Sequence, residues 1–269
     1  LMTRGPQSRS KPAILSDEEC VYYRDRFRDA RYAALADAEG FGSICFALEA
    51  FGLRLLGERS TLDGYKKKIS AFVQSSLVLS ELSKQFPSRF KPFFALYATV
   101  QSARNDAMHI GAYARHATEA AIELCIGLEE ALMAGVNSTV GNLMVTSPIS
   151  VEQWQPIAHA RQLMLMHSFS FLPVRLDDGW YLLSELGLAQ YLVVKSDIKT
   201  KRLGQTIKES KSDGLKLIKV PEEKLLNVNH RVDDLLSRAN VENGSRLWLV
   251  VDDARKNHLA GVISPFELM

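Results

Sequence analysis

Two stretches in the second half of the chain follow the same order of apolar runs, helical patterns and turns. The first consists of "PISVE", the helical "QPIAHARQLMLMHS", "FSFLPVRL" and "WYLLSELGLAQYL". The second consists of "LLNVN", the helical "VDDLLSRANVEN", "SRLWLVVD" and "AGVISPFEL". Because a pattern repeated in this way is one supersecondary unit used twice, the sequence predicts two β-α-β-β-α repeats and an α/β fold for this half.

The first half has a different pattern, and we interpret it as an α helical bundle of about 120 residues. Apolar residues recur there at helical spacing, and strand-like alternation is absent. The predicted helices span 17–37, 41–57, 61–86, 89–108 and 113–134. Residues 1–15 are aperiodic and rich in Pro, Ser and Arg, so we expect a disordered leader there.

The composition excludes several classes of protein. Lys and Arg number 33 against 31 Asp and Glu, so charge alone does not indicate a nucleic-acid-binding protein. No apolar run is long enough to span a membrane and no signal peptide is visible, so a cytoplasmic protein without membrane contact is expected. Cys20, Cys45 and Cys125 have no disulfide or zinc spacing. We expect Cys45 and Cys125 to pack as small apolar residues.

Four ordered segments of the second half resemble the CBS motif. They are the opening "VGNLM", the helical "A-x-x-L-M", the strands "LPV" and "LVVD", and the closing "GVIS-x-x-EL". The resemblance implies a tandem CBS pair over 139–269, with the first motif at 139–195 and the second at 213–269. It also implies a regulatory adenine nucleotide, ATP, ADP or AMP, bound in a cleft between the two motifs.

The same resemblance assigns ligand residues. Ser264 and Glu267 match the family's Thr/Ser and Asp positions, where the hydroxyl and the turn amides bind phosphate and the acid binds ribose. Glu is one methylene longer than the family's Asp. Arg246 is placed to reach a phosphate. The residues expected around the base are Ile149, Phe169, Ser170 and Phe171.

The first copy matches less well. Leu182 takes its hydroxyl position and Glu185 its acid position, so we expect at most one good nucleotide site. A second interpretation stays open, in which the pair is a dimerisation platform with an empty cleft. In that case Ser264 simply caps the last helix.

The segment "SARNDAMHIGAYARHATEAA", residues 102–121, places a polar cluster in an apolar helical region. Its "RNDAMH" fits Arg-polar-x-x-x-His and resembles the signature of HEPN helical domains, a resemblance that covers 16–136. It implies a dimeric, metal-independent ribonuclease in which two copies of the motif face each other. It also suggests a toxin or an antiviral defence effector. Some members carry a modifiable Tyr two residues after the His, where this chain has Gly111.

The residue types suit RNA cleavage without a metal. His109 can move a proton near neutral pH. Arg104 presents a planar fork of donors to the phosphate and stabilises the charge that develops on it. Asn105 is expected to orient the reacting groups. The reaction is attack by the RNA 2′-hydroxyl on the adjacent phosphate, which leaves a cyclic phosphate and a free 5′-hydroxyl.

Helical geometry qualifies this arrangement. Asn105 and His109 are one turn apart, whereas Arg104 lies about 140° from His109 around an ideal helix. Convergence therefore requires the reach of Arg104, a helix distortion, or a twofold partner. Glu49 is the lone acid in the apolar segment 41–57, and we expect it to pair with Arg104 or Arg54 and support the site.

The leading hypothesis is a dimeric endoribonuclease of HEPN type, with RNA as substrate and control by an adenine nucleotide at the CBS pair. A higher oligomer through the CBS pair stays open. The alternative is a non-catalytic nucleotide sensor with a helical dimerisation or partner-binding domain. In that case Arg104 and Asp106 form a solvated face or a local ion pair, and His109 is a packed histidine.

Overall fold

The computed structural model describes residues 14–106, 114–238 and 247–269, and the chain divides between Asn137 and Ser138 into two units. We call them the helical unit and the α/β unit and describe each by itself. Within these described ranges, no helix combines the length and the apolar character needed to cross a membrane.

The helical unit begins with a capping box at Ser16. The Ser16 hydroxyl accepts the Glu19 N–H at 3.2 Å, and the Glu19 carboxylate accepts the Ser16 N–H at 3.0 Å. Leu15 already packs against the core, and the other residues of the predicted leader over 1–15, except Ile14, lie outside the described ranges. The helices are α1 (Asp17–Ala36), α2 (Phe41–Leu56), α3 (Leu62–Phe72), α4 (Ser83–Gln85), α5 (Phe93–Asp106) and α6 (Ala114–Met133).

A single apolar core holds these helices together. Helix α1 packs against α2 and α6, α2 against α3, and α5 against α6. The core includes Phe27, Phe51 and Leu128, and Cys45 and Cys125 are buried in it as predicted. Burial of this apolar surface is the main favourable contribution to the stability of the bundle.

Polar contacts reinforce that core at two places. The Arg31 guanidinium on α1 donates to both carboxylate oxygens of Glu129 on α6, at 2.8 and 3.0 Å. The buried Tyr97 hydroxyl on α5 donates to the Leu62 carbonyl at the start of α3, at 2.7 Å. The buried Tyr97 hydroxyl therefore has the hydrogen-bond partner that burial requires.

The predicted helix over 61–86 is interrupted. Helix α3 ends at Phe72, and a 3₁₀ turn at Val73–Ser75 and a π-helical segment at Val78–Leu82 follow. Between them Ser76 is extended, because the Glu130 carboxylate on α6 accepts the Ser76 hydroxyl at 2.6 Å and the Val78 N–H at 3.1 Å. A tertiary contact thus overrides the helical periodicity of this segment.

The α/β unit alternates short strands and helices. Its helices are α7 (Val140–Leu143), α8 (Ile157–His167), α9 (Glu185–Leu192), α10 (Ser196–Gly204), α11 (Ile207–Ser212) and α12 (Val232–Arg238). Its strands are β1 (Val145–Thr146), β2 (Val151–Glu152), β3 (Phe171–Leu176), β4 (Gly179–Ser184), β5 (Ile218–Val220), β6 (Trp248–Asp252) and β7 (Arg255–Ile263). The chain ends in a 3₁₀ turn at Pro265–Leu268 rather than in the predicted helix.

The strands form two sheets, of order β2-β3-β4-β5 and β1-β7-β6. The first sheet contains the hairpin of the first copy and the second sheet contains that of the second copy. Each sheet also takes one strand from the other copy's segment, because β1 pairs with β7 and β5 pairs with β4, both antiparallel. The predicted segments 139–195 and 213–269 therefore do not coincide with the two sheets.

Two other segments add to or differ from the predicted repeats. The Lys-rich stretch 196–214 folds into α10 and α11, and a capping box between Thr206 and Glu209 starts α11. The predicted strand "LLNVN" makes only one bridge, between Leu226 and Val250.

The two sheets share an apolar cluster, which we call the shared cluster. Trp180 and Leu182 from β4 are buried in it together with Leu249 and Val251 from β6. Leu182 and Leu249 are fully buried. The two copies of the repeat are therefore joined by packing as well as by strand exchange.

Candidate functional site

Arg104 lies in the last turn of α5 and forms an ion pair with Glu49 of α2. The side chains are 42% and 30% exposed, so the pair lies at the surface and in reach of solvent. From the sequence, either Arg104 or Arg54 was expected to be the partner of Glu49. Arg54 instead donates to both carboxylate oxygens of Glu19, at 2.6 and 2.9 Å.

The neighbours of Arg104 are exposed as well. Asn105 and Asp106 both lie on the surface at the end of α5. The Asp106 carboxylate accepts the Ser102 hydroxyl at 3.3 Å. His109 and Gly111 lie outside the described residues, so the part of the site that they contribute stays a sequence prediction.

Cys45 lies one turn before Glu49 on α2 and is buried. Burial raises the pKa of the Cys45 thiol to about 11, while Arg104 opposes that shift and Glu49 adds to it. The thiol is therefore neutral at neutral pH and is a poor nucleophile. Cys45 therefore belongs to the apolar core next to the ion pair rather than to its reactive groups.

In the α/β unit, Ser264 and Glu267 come together as a capping box. The Glu267 carboxylate accepts the Ser264 N–H at 2.7 Å and the Ser264 hydroxyl at 2.6 Å. The same hydroxyl accepts the Phe266 N–H at 3.3 Å. The hydroxyl and acid predicted to bind a nucleotide thus bind each other, as the capping interpretation of Ser264 expects.

The first copy has its own serine at this turn, and the sequence interpretation missed it. Ser184 ends β4 and accepts the Gly187 N–H at 3.0 Å as the cap of α9. Leu182, predicted at the hydroxyl position, is instead buried in the shared cluster, because it points to the inner side of β4. The placement of Leu182 and Glu185 was therefore wrong by two residues, and the residue matching Glu267 is Gly187.

An alignment on the capped turn would have found this correspondence. "LLSELGL" and "VISPFEL" each place a serine directly after two apolar residues of a strand. Ser and Thr are favoured caps, so the serine is the more reliable landmark than the apolar run.

The residues predicted around the base are distributed over two places. Phe171 packs against the shared cluster, which also includes Val262, two residues before Ser264. Phe169 instead packs against the core of the first copy and stacks on His167, with ring centroids 5.0 Å apart. Ile149 is exposed, and it follows β1, which pairs with β7 at Gly261.

Two further predicted ligand residues complete the set. Ser170 is exposed, and its carbonyl accepts the Glu185 N–H at 3.0 Å. Arg246 lies outside the described residues. Of the predicted base-pocket residues in the described ranges, Phe171 therefore shares a packing cluster with Val262, two residues before Ser264.

A cleft of about 240 Å³ opens between α9 and residues 202–216. Its lining includes Tyr191, Arg202 and Asp213, which the sequence interpretation did not single out. The Arg202 guanidinium lies 4.3 Å from the Tyr191 ring centroid, and the Tyr191 hydroxyl donates to Asp213 at 3.0 Å. None of the predicted ligand residues lines this cleft.

No family model matches the chain, and no curated protein matches its sequence. Several solved structures resemble about half of it. A CBS domain-containing protein of unknown function from Bacillus anthracis is 16% identical, with a TM-score of 0.37, over 48% of this chain and 88% of that chain. CBSX2 of Arabidopsis thaliana, solved in complex with AMP, is 19% identical, with a TM-score of 0.36, over 49% and 93%.

A third structure is a CBS domain pair solved with 5′-methylthioadenosine and S-adenosyl-L-methionine. It is 18% identical, with a TM-score of 0.35, over 48% of this chain and 95% of that chain. Because the TM-scores are below 0.5, these likenesses do not determine the family or the ligand of this chain.

Proposed function

We propose that the chain is a dimeric, metal-independent endoribonuclease of HEPN type, regulated by an adenine nucleotide bound to the α/β unit. The observation that carries the proposal is the position of Arg104, whose partly exposed guanidinium stands at the end of α5 inside the segment "RNDAMH". A guanidinium in this position is open to a phosphate from solvent and presents donors in the geometry of its oxygens.

In this proposal Arg104 binds the scissile phosphate and stabilises the charge that develops as the 2′-hydroxyl attacks. Asn105, exposed one residue further, orients the phosphate or the attacking hydroxyl. His109 removes the proton of the 2′-hydroxyl or returns one to the departing 5′-oxygen, a role assigned from the motif alone. The products are a 2′,3′-cyclic phosphate and a free 5′-hydroxyl, so no water is consumed in this step.

Regulation follows if the nucleotide binds one conformation of the chain more tightly than another. Ser264 and Glu267 are the proposed contacts for phosphate and ribose. Their side chains bind each other, so nucleotide binding must replace the contact between the hydroxyl and the carboxylate.

Cleavage of labelled RNA in the presence of EDTA tests the proposal. Arg104→Ala should lower the rate by about 10²- to 10³-fold, the loss typical of one transition-state donor. Arg54→Ala is the matched control, because it removes a similarly exposed arginine that pairs with Glu19. Cyclic-phosphate ends in the products of the wild type identify the reaction, and His109→Ala should abolish them.

If Arg104→Ala and His109→Ala both cleave RNA at the rate of the wild type, the ribonuclease assignment is wrong. The second candidate function is then a non-catalytic nucleotide sensor, which the Arg104–Glu49 pair favours because that pair satisfies both charges without a substrate. Stabilisation by AMP without RNA cleavage under any nucleotide supports the sensor.

A further inference from the structure

We infer that Glu49 occupies, in the free protein, the position at Arg104 that an RNA phosphate takes on binding, so that Glu49 is a competing anion at the proposed site. The inference rests on the proposed function for the identity of the ligand. It differs from a supporting role for Glu49, because a supporting residue strengthens substrate binding whereas a competing anion weakens it.

The composition of α2 makes Glu49 conspicuous. Glu49 and Arg54 are the two charged residues in Phe41–Leu56. Arg54 is engaged by Glu19 through two hydrogen bonds, so it leaves Glu49 to Arg104. Cys45, one turn before Glu49, carries no charge at neutral pH, because burial raises the pKa of its thiol. Glu49 is therefore the anion that α2 presents to Arg104.

The exposure of the pair indicates that it can open. The Arg104 and Glu49 side chains are 42% and 30% exposed, whereas Arg31 and Glu129, which join α1 to α6, are 18% and 14% exposed. An ion pair at the surface contributes little to stability, because water solvates both charges well when they separate. A phosphate can therefore displace the carboxylate at low cost, while the Arg31–Glu129 pair is built to stay closed.

Arg104 has the chemistry to exchange one anion for the other. A guanidinium binds carboxylate and phosphate with the same planar arrangement of donors. Both anions also depend on the same screened electrostatic attraction, so the competition should weaken as salt is raised.

Binding of a fluorescent single-stranded RNA with 2′-O-methyl groups, measured by anisotropy at low salt, tests the inference. This RNA lacks the 2′-hydroxyl, so it reports binding without cleavage. Glu49→Gln should bind it about two- to fivefold more tightly than the wild type, the factor expected for release of an exposed ion pair. Glu19→Gln removes the same charge next to the same helix and should leave the affinity unchanged.

The same substitution made in a variant without Arg104 distinguishes the freeing of the Arg104 guanidinium from the change in net charge. In Arg104→Ala, adding Glu49→Gln should give no gain in affinity. Equal or weaker binding by Glu49→Gln overturns the inference, as does a gain that persists without Arg104 or absence of RNA binding in every variant. If Glu49→Gln raises the RNA affinity only when Arg104 is present, but natural RNA is not cleaved, the inference holds and the ribonuclease assignment fails. If natural RNA is cleaved but Glu49→Gln does not raise the affinity, the ribonuclease assignment holds and the inference fails.

Discussion

The two copies of the repeat in the α/β unit place a serine at the same strand-to-helix turn and stabilise that turn differently. In the first copy Ser184 caps α9, whose Leu188 and Tyr191 are buried in the core behind it. In the second copy Ser264 caps a four-residue 3₁₀ turn that buries none of its residues, and Glu267 closes the cap. Buried apolar residues thus stabilise the first turn, whereas the second turn depends on the capping box and on the partly buried Leu268.

This difference suits the second turn to ligand binding. Redirecting the Ser264 hydroxyl and the Glu267 carboxylate to a ligand should disturb little apolar packing, because the turn contributes only the partly buried Leu268 to a core cluster. The first turn has no acid at the position that matches Glu267, because Gly187 stands there. A Cβ at Gly187 would lie 3.0 Å from both the Lys216 carbonyl oxygen and the Ser184 hydroxyl, so close packing limits what that position can hold.

The strongest effects should come from the shared cluster, which the two copies have in common. Leu182→Ala and Leu249→Ala should each lower the free energy of unfolding by about 2–5 kcal/mol, because each leaves a cavity at a fully buried site. The double variant should lose less than the sum by about 0.5 kcal/mol or more, because the two side chains belong to one cluster. Chemical denaturation followed by tryptophan fluorescence measures all three.

Leu128→Ala, fully buried in the helical unit, is the matched control for this cycle. Combined with Leu182→Ala it should give additive losses, since the two residues lie in different units. If the losses in unfolding free energy at Leu182 and Leu249 are also additive, the two copies are stabilised independently of each other. Differences between their turns could then not be compared on a shared core.

Nucleotide binding should distinguish the two turns next. At an AMP concentration about 100 times its Kd, the wild type should gain about 2.7 kcal/mol of stability. Ser264→Ala combined with Glu267→Ala should abolish that gain, while Ser184→Ala should retain it. Thermal unfolding with and without AMP makes the measurement.

Glu267→Gln is the control that distinguishes loss of nucleotide binding from loss of the cap. Glutamine still closes a capping box but carries no charge to bind the ribose hydroxyls. It should fold like the wild type and lose part of the AMP-induced shift. An undiminished shift in the Ser264 and Glu267 variants places the nucleotide elsewhere in the chain.

Local signals explain what the sequence could predict. The start of α1, predicted at residue 17, and the burial of Cys45 and Cys125 depend on residues that are close in sequence or on apolar periodicity. The capping box at Thr206 was equally local, and attention to Thr followed by Glu three residues later would have revealed α11 in the Lys-rich stretch.

Contacts between distant residues explain the rest. The break at Ser76 depends on Glu130, 54 residues later in the chain, and local periodicity cannot register it. The exchange of β1 and β5 between sheets likewise depends on pairing that a repeat pattern does not specify. At the candidate site, the motif identified Arg104, but only the packing of α2 selected it over Arg54 as the partner of Glu49.

Removing each serine cap should give a smaller difference between the copies. Ser184→Ala should lower the free energy of unfolding by about 1 kcal/mol, the usual cost of a lost helix cap. Ser264→Ala should cost only a few tenths of that, since its turn carries no buried residues and Glu267 still accepts the backbone N–H of residue 264. Equal losses in denaturation would show that packing behind the turn does not determine the cost.

Acid should affect the first copy more than the second, through the turns at the far ends of the two hairpins. The Tyr181 hydroxyl at 2.6 Å, aided by Lys219, lowers the pKa of Asp178 from 3.8 to about 2. The Ala254 N–H, aided by Arg255, lowers the pKa of Asp252 from the same value. Because these folded-state pKa values lie below the unfolded one, the stabilisation is present above about pH 3.9 and declines as the pH falls further.

Both carboxylates are at the surface, so the effect should be the smallest of those considered. Urea unfolding at pH 6 and at pH 2.5 should show Asp178→Asn losing less stability on acidification than the wild type. Asp252→Asn should also reduce the loss of unfolding free energy on acidification, but by a smaller amount. Asp178 contacts a tyrosine and two lysines, whereas Asp252 contacts a backbone N–H and one arginine. If Asp252→Asn reduces the acid-induced loss of stability more than Asp178→Asn does, the second copy is the more acid-sensitive one. The polar contacts of Asp252 would then stabilise its hairpin more than those of Asp178 stabilise the first.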